Sequence, residues 1–299
     1  MKKKYNTYSH NISDKLVKLL LTFVTFFSVS ILFLIMIFLF KEGLPVFKVV
    51  SIKDFILGKQ WYPTSTPPKF GILPLIAASL SVTFLSAIIA VPFSLAIAIY
   101  LSEIASNGIK QIFKPTIELI ASIPSVVIGF FGMVVFAPFL QNIFKIESGL
   151  NLFNAAIMLS FMSIPTIASI SEDAISSVPS SLKEASYALG ATRWETITKI
   201  TLSAAISGIW TSIILGLARV LGETMVVLMV AGGATTFPKS IFSPIRPLTS
   251  NIAAEMAEAS YRSEHYYALF AIGIVLFILT FIFNFIANYI SEKYKFKYD

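Results

Sequence analysis

Residues 19–40 contain no Asp, Glu, Lys or Arg. As a helix, a run of this length spans roughly 30 Å, the hydrocarbon thickness of a bilayer. Five more long apolar runs follow, at 71–102, 115–140, 152–170, 204–231 and 266–290. Only 13 % of the 299 residues are charged and 56 % are apolar. A water-exposed surface cannot be covered with so few polar groups, so lipid must be part of the solvent. The pattern predicts an all-α membrane protein with about six transmembrane helices. The second run is longer than a span needs, and Pro92 within it predicts a kink or a tilt. The first run is read as an uncleaved helix rather than a signal peptide. Lys41-Glu42-Gly43-Leu44-Pro45 follows it, with no small-residue cleavage pattern.

Three stretches divide the chain. Residues 1–41 hold a basic tail and the first helix, 42–70 form a polar loop, and 71–291 form the core. Lys and Arg set the orientation. With six spans, 13 of them fall on the side of the termini and 9 on the other, and Arg219 lies inside a run. The excess, together with Lys2, Lys3, Lys4, Lys15 and Lys18 ahead of the first helix, puts both termini in the cytoplasm. Residues 171–203 are then cytoplasmic, and 41–70 and 232–265 are outside.

Several chemistries have no residues to carry them. Cysteine is absent, and the two histidines, His10 and His265, are far apart in the chain. No Gly-x-x-x-x-Gly-Lys-Ser/Thr run exists to cradle a nucleotide phosphate. The net charge of +7 sits between apolar runs rather than along a basic stripe, which argues against nucleic acid. No cofactor and no catalytic constellation are expected.

The polar stretch 171–203 has a written-out local structure. Ser181-Leu-Lys-Glu184 and Thr192-Arg-Trp-Glu195 both read as capping boxes, and Gly190 between them reads as a left-handed helix stop. The chain therefore specifies helix, glycine turn, helix. Leu182, Ala185 and Leu189 share one face of the first helix; Trp194, Ile197 and Thr201 share one face of the second. From capping signals alone, an ordinary loop on the membrane surface remains an equal reading.

Arg219 and Glu223 lie within the fifth run at i, i+4 spacing, which predicts one helical face. A charge at that depth costs about 2.5–3.5 kcal/mol on insertion scales, so such groups face protein or water. Two readings stay open: a mutually neutralising pair that pins helix packing, and the polar lining of a solute pathway in which the arginine fork meets an oxyanion. Glu118 and Glu103 are weaker candidates, expected to be solvated carboxylates at the cytoplasmic interface.

Glu184-Ala185-Ser186, three residues, Gly190, nine residues, Ile200, one residue, Leu202 resembles the EAA signature of ABC-importer permeases. Ser186 stands where the signature has a second alanine, and Ser203 where it has proline. The missing proline predicts that the second short helix runs more smoothly into the fifth span. Residues 118–129, 163–168, 188–196, 218–225 and 268–273 look like the permeases of phosphate importers. The resemblance implies a type I ABC-importer permease fold with a cytoplasmic coupling helix, in a bacterial-type inner membrane. It implies that Glu184, Ala185, Ser186, Gly190, Arg193, Ile200 and Leu202 contact a separate cytoplasmic ATPase dimer. It further implies a second permease subunit, an extracytoplasmic phosphate-binding protein, and Arg219 and Glu223 on the substrate route. Residues 248–264, with Glu255, Glu258 and Glu264, read as an outer amphipathic segment facing that protein or as a packed plug. The partner permease of the same importer, or a sulfate or molybdate importer permease of the same fold, is the alternative; a secondary transporter or channel leaves the signature spacing unexplained.

Overall fold

A computed structural model describes residues 7–293. Lys2, Lys3 and Lys4, and the tail with Lys295 and Lys297, lie outside the described residues. Among the described residues thirteen α-helices run in chain order: α1 (Thr7–Gly43), α2 (Ile52–Leu57), α3 (Leu73–Ile99), α4 (Asn107–Ala121), α5 (Ser125–Phe131), α6 (Ala137–Phe144), α7 (Leu152–Ser176), α8 (Ser180–Ala188), α9 (Arg193–Glu195), α10 (Leu202–Gly222), α11 (Met225–Val230), α12 (Leu248–Glu255) and α13 (Glu264–Lys293). Six segments are long and apolar enough to cross a membrane: Asp14–Lys48, Leu73–Ile104, Ser125–Phe144, Leu152–Ser176, Arg193–Gly222 and Glu264–Ile290.

The core is built around α7, the most buried of the spans, which packs against both α3 and α10, and these two also touch each other. Small residues let the backbones approach, as membrane packing requires. Ser86 of α3 meets Ser160 of α7 at 3.3 Å. Ser94 donates to the Ile164 carbonyl at 3.2 Å, and Ser171 meets Ser212 of α10 at 2.5 Å. At Gly216 a Cβ would lie 2.3 Å from Ile167 Cγ1, so only glycine permits this α10–α7 distance. α1 stands apart, touching chiefly α13 and exposing nearly its whole apolar length.

Two apolar runs are not the continuous spans their length predicts. The third divides at Ser122-Ile123-Pro124, because proline disfavours helix at the residue before it. Its first part, α4, is an amphipathic helix with no buried residue, and the span begins at Ser125. Glu118 is exposed on α4, outside the spans. The fifth run breaks at Glu223, whose ψ of 131° is extended. The polar loop 41–70 is structured: α2 and an antiparallel pair, Trp61–Tyr62 with Lys69–Phe70, pack on α3 and α13 around buried Phe55, Trp61 and Ile72.

Candidate functional site

The polar segment 177–202 folds as a bent helical elbow at one end of the bundle. Gly190 takes φ +82°, and no atom lies within 4 Å of where its Cβ would be. The glycine is therefore needed for backbone conformation and not for space. Thr192 and Glu195 form the full capping box that starts α9. The other expected box is absent: α8 starts at Ser180 behind Pro179, without a side-chain cap. Proline just ahead of a helix fixes the entry by itself, and this moves the start one residue before Ser181. Beyond α9 the chain makes a π-helical turn, Thr196–Thr201, and continues into α10 without a break.

Ser186 is buried and its hydroxyl meets Thr196 Oγ1 at 2.9 Å, so the two arms of the elbow are bonded to each other. Glu184, Ala185 and Arg193 are exposed; Ile200 and Leu202 are half-buried. The expected apolar faces divide differently. Leu182 packs on the core beside Val178 and Ile209, and Ile197 and Thr201 are buried. Leu189 is 89 % exposed and Trp194 63 %, which leaves two large apolar side chains at the tip of the elbow with nothing covering them.

Two charged clusters near the elbow were not foreseen. Glu172, near the end of α7, is 1 % exposed and takes Lys110 at 2.5 Å and Lys114 at 2.6 Å, both from α4. Lys114 also reaches Asp173 at 2.5 Å. Hydrogen bonds to Asp173 and Glu172 hold the Lys114 ammonium above the usual lysine range. α4 has no buried residue of its own, and these pairs tie it to α7. Glu103 is not a solvated carboxylate: its side chain is 9 % exposed and pairs with Lys183 of α8 at 2.6 Å. Burial without a partner would be costly, and Lys183 supplies the partner from the elbow. The i, i+4 spacing of Lys110 and Lys114 was a legible sign of a basic stripe; the carboxylates facing them come from distant parts of the chain.

Arg219 and Glu223 do not share a helical face. α10 ends at Gly222, and Glu223 turns back to cap α11, accepting from the amides of Met225 at 3.1 Å and Val226 at 3.3 Å. Its carbonyl accepts from Thr249 Oγ1 at 2.8 Å. Among the described residues no ion pair joins the two side chains; Arg219 Nη1 instead donates to Thr166 Oγ1 of α7 at 3.2 Å. The guanidinium is thus paired with a neutral hydroxyl and is exposed on the face of the chain.

At the opposite end of the bundle Glu255 points inward. It accepts from Trp61 Nε1 at 2.9 Å and Arg246 Nη1 at 2.7 Å and meets His265 Nε2 at 2.8 Å. The hub joins the loop 41–70 to α12 and α13, so Glu255 belongs to the packed part of the segment 248–264.

Residues 90–296 match the family described as the binding-protein-dependent transport system inner membrane component. The chain belongs to this family. As an inner membrane component it is a multi-pass membrane protein. A permease relative from Bacillus subtilis, called probable ABC transporter permease protein YqgH, is 44 % identical over 247 residues, 82 % of this chain and 80 % of its own length. The phosphate transport system permease protein PstC of Pasteurella multocida is 34 % identical over 293 residues, 92 % of this chain and 90 % of its own. Among solved permeases, a chain of a bacterial alginate ABC transporter superposes with a TM-score of 0.67 at 17 % identity, covering 97 % of this chain and 99 % of that one. A chain of the MetNI methionine ABC transporter gives 0.58 at 22 %, covering 73 % and 93 %. At these identities the two structures speak for the fold, that of ABC importer permeases.

Proposed function

We propose that this chain is the transmembrane permease subunit of an ATP-driven inorganic phosphate importer. The observation that carries the reading is the match, along nearly the whole chain, to permeases named for phosphate transport. The elbow supports the mechanical half of it. Bonded arms and a glycine corner make a stiff lever, and exposed Leu189 and Trp194 offer an apolar tip to a motor on another chain. Glu184, Ala185, Ser186, Gly190, Arg193, Ile200 and Leu202 form or frame that contact. The tip lies in the cytoplasm with both termini. The partners are a second, PstA-like permease, a PstB-like ATPase dimer, and an extracytoplasmic phosphate-binding protein. The chain itself does no chemistry on ATP.

Arg219 and Glu223 supply the substrate half in separate roles. Arg219 carries a positive charge that, among the described residues, no carboxylate neutralises, and it lies on a face that the second permease would cover. Its planar fork suits a phosphate oxyanion, and Thr166 steadies it without competing for that charge. Glu223 breaks the span and sets the position of α11.

The test is uptake of labelled phosphate, with sulfate as the competitor, into liposomes holding the whole complex and the binding protein. Phosphate uptake that requires ATP is expected, and Arg219→Gln should abolish it while the complex still assembles. Preferential uptake of sulfate would overturn the substrate, and normal transport by the Gln variant would make Arg219 structural.

A further inference from the structure

The elbow leads directly into α10, so its motion reaches that helix through the chain itself. A second attachment lies at the end of α3. There the last turn widens into a π-helical segment, Tyr100–Ile104, and stops at Ala105 with ψ 143°. A helix end leaves its final carbonyls without partners and carries partial negative charge. Arg193, on the second arm of the elbow, donates from Nη2 to the carbonyl of Glu103. Lys183, on the first arm, meets the carboxylate of the same residue at 2.6 Å. Both arms therefore hold one residue, by its main chain and by its side chain, and Ser186–Thr196 fixes the arms to each other. Leu182 extends the joint into the apolar cluster of Ala98, Ile175 and Ile209.

We infer that Glu103 is a positioning residue that couples the elbow to α3, so that a displacement of the elbow moves α3 and α10 as one body. The consequence follows from the packing. α3 and α10 both pack on α7 and touch each other. A lever acting through α10 alone would shear it past the Ser171–Ser212 and Gly216–Ile167 contacts, whereas a lever acting on both helices carries α7 with them. Glu103 touches no substrate; it decides whether ATP-driven motion arrives at both helices of the core. The inference rests on the proposed reading of the chain as an ATP-driven permease.

The natural sequence contains no cysteine, so Glu103→Cys with Lys183→Cys creates the sole thiol pair in the chain. In the assembled complex the reduced pair should hydrolyse ATP at close to the parent rate and import about tenfold less phosphate per ATP, an ordinary size for a lost coupling. Bridging the pair with a short bifunctional maleimide should restore import, an effect that a folding defect would not show. Parent-like import by the reduced pair, or no recovery on bridging, would overturn the inference. A parent complex that hydrolyses ATP but imports no phosphate refutes the substrate reading alone. The joint is then read by hydrogen exchange at residues 98–104. ATP should change that exchange in the parent and leave it unchanged in the reduced pair; a change in both would overturn the inference.

Discussion

Replacing Gly190 isolates the conformational requirement of the elbow. Its φ of +82° is left-handed, and the space beyond its Cα is open. A Cβ there meets nothing beyond its own chain neighbours, so the penalty for alanine is backbone strain. For an L-residue in that region the strain is about 1–2 kcal/mol. Asparagine tolerates the conformation better than alanine, and a β-branched residue tolerates it worst. The order of damage should therefore be Asn, then Ala, then Val, with alanine lowering the ratio of closed to frayed elbow by about 5- to 30-fold. Limited proteolysis of the detergent-solubilised chain measures this as the rate of cleavage between α8 and α9. The reasoning fails if Asn opens the elbow as much as Val, or if all three variants resist protease as the parent does. An Asn variant that keeps a closed elbow yet loses ATP-coupled transport would show that the glycine also makes room for the partner.

Two further outcomes follow from buried polar contacts. Ser186→Ala leaves the Thr196 hydroxyl, 1 % exposed, without its partner and should destabilise the elbow by about 1–3 kcal/mol; adding Thr196→Val should recover most of the loss, as thermal unfolding of the purified chain will report. Glu255→Ala strips Trp61, Arg246 and His265 of their shared acceptor, and Trp61 is 2 % exposed while Trp194 is 63 %. The blue edge of the tryptophan emission should shift to the red as the loop 41–70 loosens, and an unchanged spectrum would mean that the hub does not hold the loop.

The spans were legible because a bilayer imposes a minimum apolar length that few other structures need. Their breaks were less so. Pro124 did announce the end of α4, and i, i+4 lysines announced its basic face; the apolar run on both sides hid them. Gly222-Glu223-Thr224 lacks a proline, and the break there is stabilised by Thr249 and by the start of α11, contacts that spacing does not reveal. At the elbow, Gly190 and the Thr192–Glu195 box were readable because both act within four residues. The Ser181 box failed because Pro179 had already fixed the helix start. Glu103 was singled out only as a weaker candidate and Glu172 not at all, because each finds its lysine 58 or more residues away in the chain. The sequence-level expectation of an Arg219–Glu223 pair assumed an unbroken helix, and it failed with that assumption.

In the proposed function the elbow protrudes into the cell and is gripped there by a separate ATPase. Leu189→Cys supplies a single thiol at its most exposed large apolar side chain, in a chain with no natural cysteine. A membrane-impermeant maleimide should label it in inside-out vesicles and not in intact cells, and assembly with the ATPase subunit should protect it. Labelling from outside the cell, or equal labelling with and without the ATPase, would contradict the account.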